Sequence, residues 1–234
     1  MRHIKTREVG ILFFGHPESM KLLKRFPYVI VIDATYKTNK YVVSYSYKQY
    51  IACCYLYLHP FVCRYKMAVV EIVGFTCTHK TFNIAFAFTK HEDEFHYNFI
   101  MKKLRLMCEE VGAVPTAIMT DRELSLINAL HVVFPEVQHL LCWVHIKHNI
   151  FAYAGPIVKD NKTAMKFSSK CWGVFLSTTE ETYEERLEEL KESWNPGLIR
   201  YVETVWLNPH KENIVRAWTD HHLHFFTRTS NRYL

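Results

Sequence analysis

Two aspartates follow apolar, β-branched runs of the sequence and are the strongest candidates for chemistry. Asp33 lies near the end of the run at residues 28–35, and Asp121 ends the run at residues 116–121. Each run is typical of a strand that is buried on both faces. Side chains at the carboxyl ends of strands in an open α/β sheet meet at one edge, so the two carboxylates could lie close together although they are distant in sequence.

A pair of aspartates on neighbouring strands is suited to binding Mg²⁺ or Mn²⁺, because these ions prefer hard oxygen ligands. Two such ions stabilise the attacking and the leaving oxygen when a phosphodiester is cleaved, which is nuclease or strand-transfer chemistry. The alternative is structural, since aspartate often ends a strand where its side chain caps the following helix. For either aspartate taken alone, the sequence favours this structural alternative.

A second candidate site is the Cys142-x-x-His145 pair, which has the spacing of half a zinc site. A thiolate and an imidazole that lie three positions apart on one helical turn can bind the same tetrahedral ion. Further ligands could come from three histidines nearer the C-terminus, His221, His222 and His224. The structural alternative is a buried thiol beside Trp143 and a histidine ring that hydrogen-bonds a neighbouring helix.

Apolar periodicity places these candidates in a βββαβαβ half of the chain. Three further strands are predicted at residues 69–78, 82–89 and 137–143. The first two of these are separated by a short polar connection and should pair as an antiparallel hairpin. Helices are predicted at residues 94–111, 122–134 and 144–153. Gly112 would end the first helix, and Asp121 lies at a junction between a strand and a helix.

Beyond residue 155 the strand patterns stop and helices are expected. Thr178, followed three residues later by Glu181, has the pattern of a capping box and predicts the start of a helix. Further helices are predicted at residues 198–206 and 212–218. The fold is therefore expected to be α/β, with an all-helical part after the fifth strand.

Composition excludes several classes of protein. Of the 234 residues, 49% are hydrophobic and 22% are charged, so the chain is neither disordered nor of low complexity. The net charge of +6 permits contact with a polyanion without requiring it. The odd number of cysteines and the lack of a secretory signal or a long apolar run predict a nuclear or cytoplasmic protein that is neither secreted nor inserted in a membrane.

Four blocks of the sequence resemble the transposase domain of Mutator-like elements, and they occur in that family's order. The blocks start at Val29 (VIVIDATYKTNKY), Ile118 (IMTDRELSLINAL), Leu141 (LCWVHIKHNI) and Ala217 (AWTDHHLHFFTRTSNR). The resemblance implies a ribonuclease H-like fold, a metal-dependent Asp-Asp-Glu site, a helical insertion between the second and third acids, and cleavage and joining of DNA. It makes Asp33 the first acid and Asp121 the second, and it includes Cys142 and His145.

The third acid is where the sequence departs from the family. The family has a glutamate shortly after the block Thr229-Ser-Asn-Arg, and Tyr233 and Leu234 follow that block here. The resemblance therefore implies a catalytic domain that is truncated at this end and inactive as it stands, because a missing ligand weakens metal binding and misplaces the nucleophile. Glu212 and Asp220 are acids in the same part of the chain, but their spacing does not favour them as substitutes.

Residues 42–64 interrupt the family pattern. This segment is crowded with tyrosines and shows no stable apolar period, at a place where the family runs directly from its first strand into its second. One hypothesis is that the segment is a translated short intron. The alternative is a real hairpin extension whose aromatic side chains pack on the sheet.

Together the residues and the resemblance predict four regions. These are an N-terminal remnant or linker at residues 1–27, a ribonuclease H-like core at 28–154, a helical insertion at 155–224 and the start of a truncated final core segment at 225–234. The expected function is that of a Mutator-like transposase fragment with Mg²⁺ or Mn²⁺ bound by Asp33 and Asp121. A structural zinc ion at Cys142 and His145 is an additional expectation.

The expected partner is DNA at the ends of a transposon. Phosphate contacts are expected from Lys37, Lys40, Arg122 and residues of the helical insertion. A homo-oligomer is left open, and no membrane partner is expected. The alternative function is a non-catalytic module that has kept the fold and binds DNA or protein.

Overall fold

The structure, a computed structural model, describes residues 9–35, 67–78 and 80–222. It is α/β, with six strands in a mixed sheet and helices in two compact units. One unit contains the described residues up to Pro115 together with Glu123–Glu136, and the other contains Thr116–Arg122 and the described residues from Val137 onward. None of the described helices is long and apolar enough to cross a membrane. The segment 42–64 lies outside the described residues.

The first unit is built on four antiparallel strands in the order β1-β4-β3-β2. The strands are β1 (Ile11–Phe14), β2 (Val29–Thr35), β3 (Ala68–Phe75) and β4 (Thr81–Thr89). Their β-branched and aromatic residues are typical of strands whose side chains pack on both faces. The predicted hairpin is confirmed, because β3 and β4 pair antiparallel across the short turn between them.

Three helices accompany these strands, namely α1 (Pro17–Arg25), α2 (Glu94–Val111) and α3 (Leu124–Val133). Helix α2 begins where the Asp93 carboxylate accepts a hydrogen bond from the His96 amide, and it ends at Gly112, whose φ of 66° is left-handed. Glycine adopts that conformation at little cost, so the predicted helix end is confirmed. Helix α2 packs on α1 and α3.

Residues 11–25 form part of the first unit, whereas the sequence pattern predicted a remnant or linker there. Strand β1 pairs with β4 from Ile11 opposite Thr89 to Phe14 opposite Phe86. Helix α1 is capped by His16 and packs on β4 and α2. A strand of four residues is too short for its periodicity to stand out from the sequence around it.

The second unit contains a parallel pair of strands, β5 (Ala117–Thr120) and β6 (Gln138–Leu141). Its helices are α4 (Trp143–Val158), α5 (Asn161–Phe175), α6 (Glu180–Ser193), α7 (Pro196–Val202), α8 (Asn208–Ile214) and α9 (Arg216–Thr219). A π-helical turn, Glu203–Leu207, follows α7. From β2 onward, the described residues therefore confirm the predicted order of elements, βββαβαβ followed by helices.

Helix α6 begins one residue later than the capping box predicted. The side chain of Thr179, and not that of Thr178, accepts a hydrogen bond from the backbone amide of Thr182. Two adjacent threonines offer the same capping oxygen, so the sequence alone does not distinguish them. The glutamates of the first turn, Glu180 and Glu181, still lie where the helix dipole favours negative charge.

Gly74 gives a test of the β3–β4 register. It lies directly opposite Phe82, and a Cβ atom added at Gly74 would lie 2.5 Å from the Phe82 ring. We expect Gly74→Ala to lower the free energy of unfolding by about 1 to 3 kcal/mol in urea denaturation, because the buried ring must move. Gly173→Ala is the control. Its Cβ would meet nothing within 4 Å inside α5, so the variant should gain about 0.5 to 1 kcal/mol. Equal effects of the two substitutions would contradict the register.

Candidate functional site

Asp33 lies within strand β2, two residues before its end, and its side chain is partly buried. The antiparallel register places Asp33 directly opposite Glu71 of β3. Directly paired residues present their side chains on the same face of a sheet with Cβ atoms about 4.5 to 5.5 Å apart. The two carboxylates are therefore neighbours.

Aromatic side chains continue the same row across the sheet. Glu71 is opposite Phe86 of β4, and Phe86 is opposite Phe14 of β1, with the two phenyl rings stacked at 5.8 Å. Burial in this apolar row, together with the smaller effect of the negative charge of Asp33, raises the pKa of the Glu71 carboxyl to about 7. The β3–β4 ladder shifts register one residue beyond Glu71, between Ile72 and Val73. Irregularities of this kind occur at β-bulges, which redirect side chains.

The Asp33–Glu71 pair has the donor chemistry that Mg²⁺ and Mn²⁺ require. Like charges directly opposite each other destabilise a sheet, and a divalent cation between them would remove that repulsion. Carboxylate oxygens are the hard ligands that both ions prefer. The pair supplies two carboxylate ligands for a divalent cation, and the part of the chain that the structure describes contains no group of three or more His, Cys, Asp or Glu side chains that could hold a metal ion.

Asp121 lies in the second unit, immediately after strand β5. Helix α3 begins at Leu124, and its N-cap is Glu123, whose side chain accepts a hydrogen bond from the Ser125 amide. The structural alternative for Asp121 was that its side chain caps the following helix. Because Glu123 occupies the N-cap position, the structure does not support that explanation for Asp121.

Contacts within the second unit fix the backbone on both sides of Asp121. The Thr120 hydroxyl lies 2.9 Å from Nε2 of the buried His139, and the Cys142 amide donates to the Thr120 carbonyl at 2.8 Å. On the other side, the guanidinium of Arg122 lies 5.2 Å from the centre of the buried Trp206 ring, as in a cation–π interaction. Arg122 is itself exposed, so its guanidinium is accessible to solvent while it lies against Trp206.

Hydrogen bonds also join α8 to strand β6 and to the start of α4. Asn213 donates to the His139 carbonyl at 2.9 Å, and Nε1 of Trp143 donates to the Ile214 carbonyl at 2.9 Å. Because side chains contact main-chain carbonyls that lie far away in sequence, these bonds depend on the folded arrangement of the unit. They hold α8 beside the junction between β6 and α4, where Cys142 is the N-cap residue of α4.

Cys142 and His145 lie at the start of helix α4, where Cys142 is the N-cap residue and is buried. Among the described residues no group of three or more His, Cys, Asp or Glu side chains could hold a metal ion. The described residues therefore do not fit a four-ligand zinc site, even though His221 and His222 are among them. The buried thiol fits the structural explanation of this pair, and zinc binding stays a prediction.

Several predicted contributors lie outside the described residues, namely His224, Lys37, Lys40 and the Thr229-Ser-Asn-Arg block. Of the two acids considered as substitutes, Asp220 accepts a hydrogen bond from Nε of Arg216 at 2.8 Å. Glu212 is exposed, and its carbonyl accepts a hydrogen bond from Gln138. Both acids belong to the second unit.

Glu71 is the residue of this site that sequence reasoning missed. It is the only charged residue in strand β3, whose other residues are apolar. A lone acid inside an apolar strand was a usable signal, because burying a charge is costly unless it has a partner or a ligand. Its partner was not predictable, since the register with β2 depends on residues far away in sequence.

Residues 62–149 match the family model of the MULE transposase domain. The matched segment contains Glu71, Asp121, Cys142 and His145, and it begins after Asp33. No curated protein matches the chain.

The raised pKa of Glu71 predicts a pH-dependent stability. Between its ordinary pKa of 4.5 and the folded-state pKa of about 7, the folded protein keeps a proton that the unfolded chain loses. The stability contributed by the protonated carboxyl is therefore lost as pH rises through this window. We expect Glu71→Gln to gain stability relative to the parent as pH rises. The free energy of unfolding of the variant minus that of the parent should be about 2 to 3 kcal/mol larger at pH 8 than at pH 4.

Urea denaturation at both pH values measures this difference. Glu110→Gln, an exposed glutamate on α2, is the matched control and should follow the parent at both pH values. If Glu71→Gln also follows the parent, the partly buried Asp33–Glu71 pair is not formed in solution.

Proposed function

We propose that this chain, whose residues 62–149 belong to the MULE transposase domain family, is a catalytic-domain fragment of a Mutator-like DNA transposase. The family match is the observation that carries the proposal. The βββαβαβ order of elements and the helices that follow it support a ribonuclease H-like fold with a helical insertion. DNA is then the substrate, and the nucleus is the expected place of action.

In this proposal Asp33 and Asp121 are two of the acids that bind Mg²⁺ or Mn²⁺. The assignment of Asp121 is supported by its place in the matched residues and by a helix cap that uses Glu123 instead. The assignment of Asp33 is supported by the resemblance of the block at residues 29–41 and by the neighbouring carboxylate of Glu71. A bound divalent ion would supply charge stabilisation for the oxygens of a phosphodiester.

In this proposal Arg122 binds a DNA phosphate, and other residues of the second unit orient Arg122 and Asp121. Arg122 is exposed next to Asp121 and offers a guanidinium that can pair with two phosphate oxygens at once. The guanidinium lies 5.2 Å from the centre of the Trp206 ring. Because this contact already restricts the Arg122 side chain, binding of a phosphate costs less conformational entropy. Thr120 and His139 fix the end of β5, which in turn positions the Asp121 main chain.

Cation binding tests the two aspartates without DNA. We expect calorimetric Mn²⁺ titration to show that Asp33→Asn and Asp121→Asn each weaken binding at least about tenfold, because each removes a charged ligand. Asp160→Asn is the matched control. Asp160 caps helix α5 by accepting hydrogen bonds from Lys162 and Thr163, and asparagine caps helices equally well. Binding that survives in both variants would contradict the assignment.

Cleavage tests whether these 234 residues are active by themselves. The proposed site assigns two acids, Asp33 and Asp121, and two-metal cleavage of a phosphodiester needs a complete set of ligands, so we expect the polypeptide to bind Mn²⁺ and DNA but not to nick a supercoiled plasmid above background. Nicking by the parent that disappears in Asp33→Asn and Asp121→Asn would show instead that the polypeptide is active.

The second candidate function is a non-catalytic module that binds DNA or protein. The observation in its favour is that the described residues contain no group of three potential metal ligands. DNA binding that is the same with and without Mn²⁺, and the same in both aspartate variants, would favour this module over the transposase fragment.

A further inference from the structure

Charges are segregated between two neighbouring helices of the second unit. Helix α5 carries three exposed lysines at intervals of four residues, Lys162, Lys166 and Lys170. Residues four apart lie on the same side of an α-helix, so these lysines form one row, defined here as the α5 lysine row. Helix α6 carries seven glutamates, with Arg186 and Lys191 as its basic residues.

The α5 lysine row is not used for internal ion pairing. Among the described residues, none of the three lysines takes part in a salt bridge, whereas Lys191 of α6 lies between Glu188 and Glu203 at 2.8 and 3.3 Å. Asp160 is the acid nearest in sequence to the row, and its carboxylate accepts hydrogen bonds from the first turn of α5. The row thus presents three positive charges to solvent.

The spacing of the row matches a regularly charged polyanion. Four residues of α-helix rise about 6 Å, so the row extends over about 12 Å. One strand of a DNA duplex carries a phosphate about every 3.4 Å along its axis, and a row of this length spans three to four phosphates. Lysine binds phosphate as a flexible point charge and does not require one fixed geometry.

We propose that the α5 lysine row is a DNA-backbone contact surface. This proposal rests on the proposed function, because it takes DNA as the partner, and it assigns the contact to a helix outside the matched residues 62–149. The contact is to phosphates, so it adds affinity and fixes orientation without reading base sequence.

The glutamates of α6 limit where the phosphate backbone of DNA can lie. A pocket of about 280 Å³ is lined by Lys170 of α5 together with Arg186, Glu189 and Glu192 of α6. Glu189 and Glu192 repel a phosphate near Lys170, so the Lys162 end of the row should contribute most. Removing these two acids should strengthen DNA binding.

A fluorescence anisotropy titration with a labelled duplex of about 20 base pairs tests the proposal, using the whole 234-residue chain. The test variant is Lys162→Gln/Lys166→Gln/Lys170→Gln. The control is Lys24→Gln/Lys80→Gln/Lys102→Gln, which removes the same charge from three exposed lysines of the first unit. Urea denaturation establishes that both variants are folded.

We expect the test variant to bind at least about tenfold more weakly than the control and its salt-dependence slope to be smaller by about 3, since each phosphate contact contributes roughly 0.9 to the slope. Glu189→Gln/Glu192→Gln should bind more tightly than the parent. Equal affinity and equal slope in the test and control variants would overturn the proposal, as would a parent that does not bind the duplex.

Mn²⁺ titration of the same proteins separates this proposal from the proposed function. If the lysine test fails while Asp33→Asn and Asp121→Asn still lose Mn²⁺, the α5 lysine row alone is wrong. If the row variant loses DNA while neither aspartate variant loses Mn²⁺, the metal assignment fails and the DNA surface stands.

Discussion

The antiparallel register of β2 and β3 is the constraint on which the account depends. It places the carboxylates of Asp33 and Glu71 directly opposite each other in a row that continues into Phe86 and Phe14. Two like charges beside aromatic rings are unfavourable in a sheet, and proteins retain such arrangements mainly where a ligand or a proton compensates for the charge. Below neutral pH a proton on Glu71 supplies that compensation, since burial raises its pKa to about 7. In the proposed function a divalent cation supplies it instead.

The second unit contains Asp121 and the contacts that position its main chain. Asp121 follows a short parallel strand whose end is held by the Thr120–His139 contact, and Arg122 is held against Trp206. Hydrogen bonds made by the Asn213 and Trp143 side chains join α8 to β6 and to the start of α4. Groups that are held in this way lose little conformational freedom when a ligand binds to them.

The sequence predicted the strongly periodic elements well and the non-local ones poorly. The long apolar runs around Asp33 and Asp121 and the end of α2 at Gly112 depend on local patterns, which is why they were confirmed. Strand β1 was missed because its identity comes from pairing with β4, and α5 was missed because its apolar residues are interspersed with lysines. The same holds for the candidate site residues. The place of Asp121 after a strand could be predicted from the neighbouring sequence. The pairing of Glu71 with Asp33 could not be predicted, because it depends on the register of two strands that lie far apart in sequence.

The most direct test of the central claim is an anomalous difference map from crystals of this protein soaked in Mn²⁺. We expect a peak within coordination distance of the Asp33 carboxylate, on the face of the sheet that Asp33 shares with Glu71, and the loss of this peak in Asp33→Asn crystals. A map with no peak at Asp33, obtained from crystals that bind Mn²⁺ elsewhere, would contradict it.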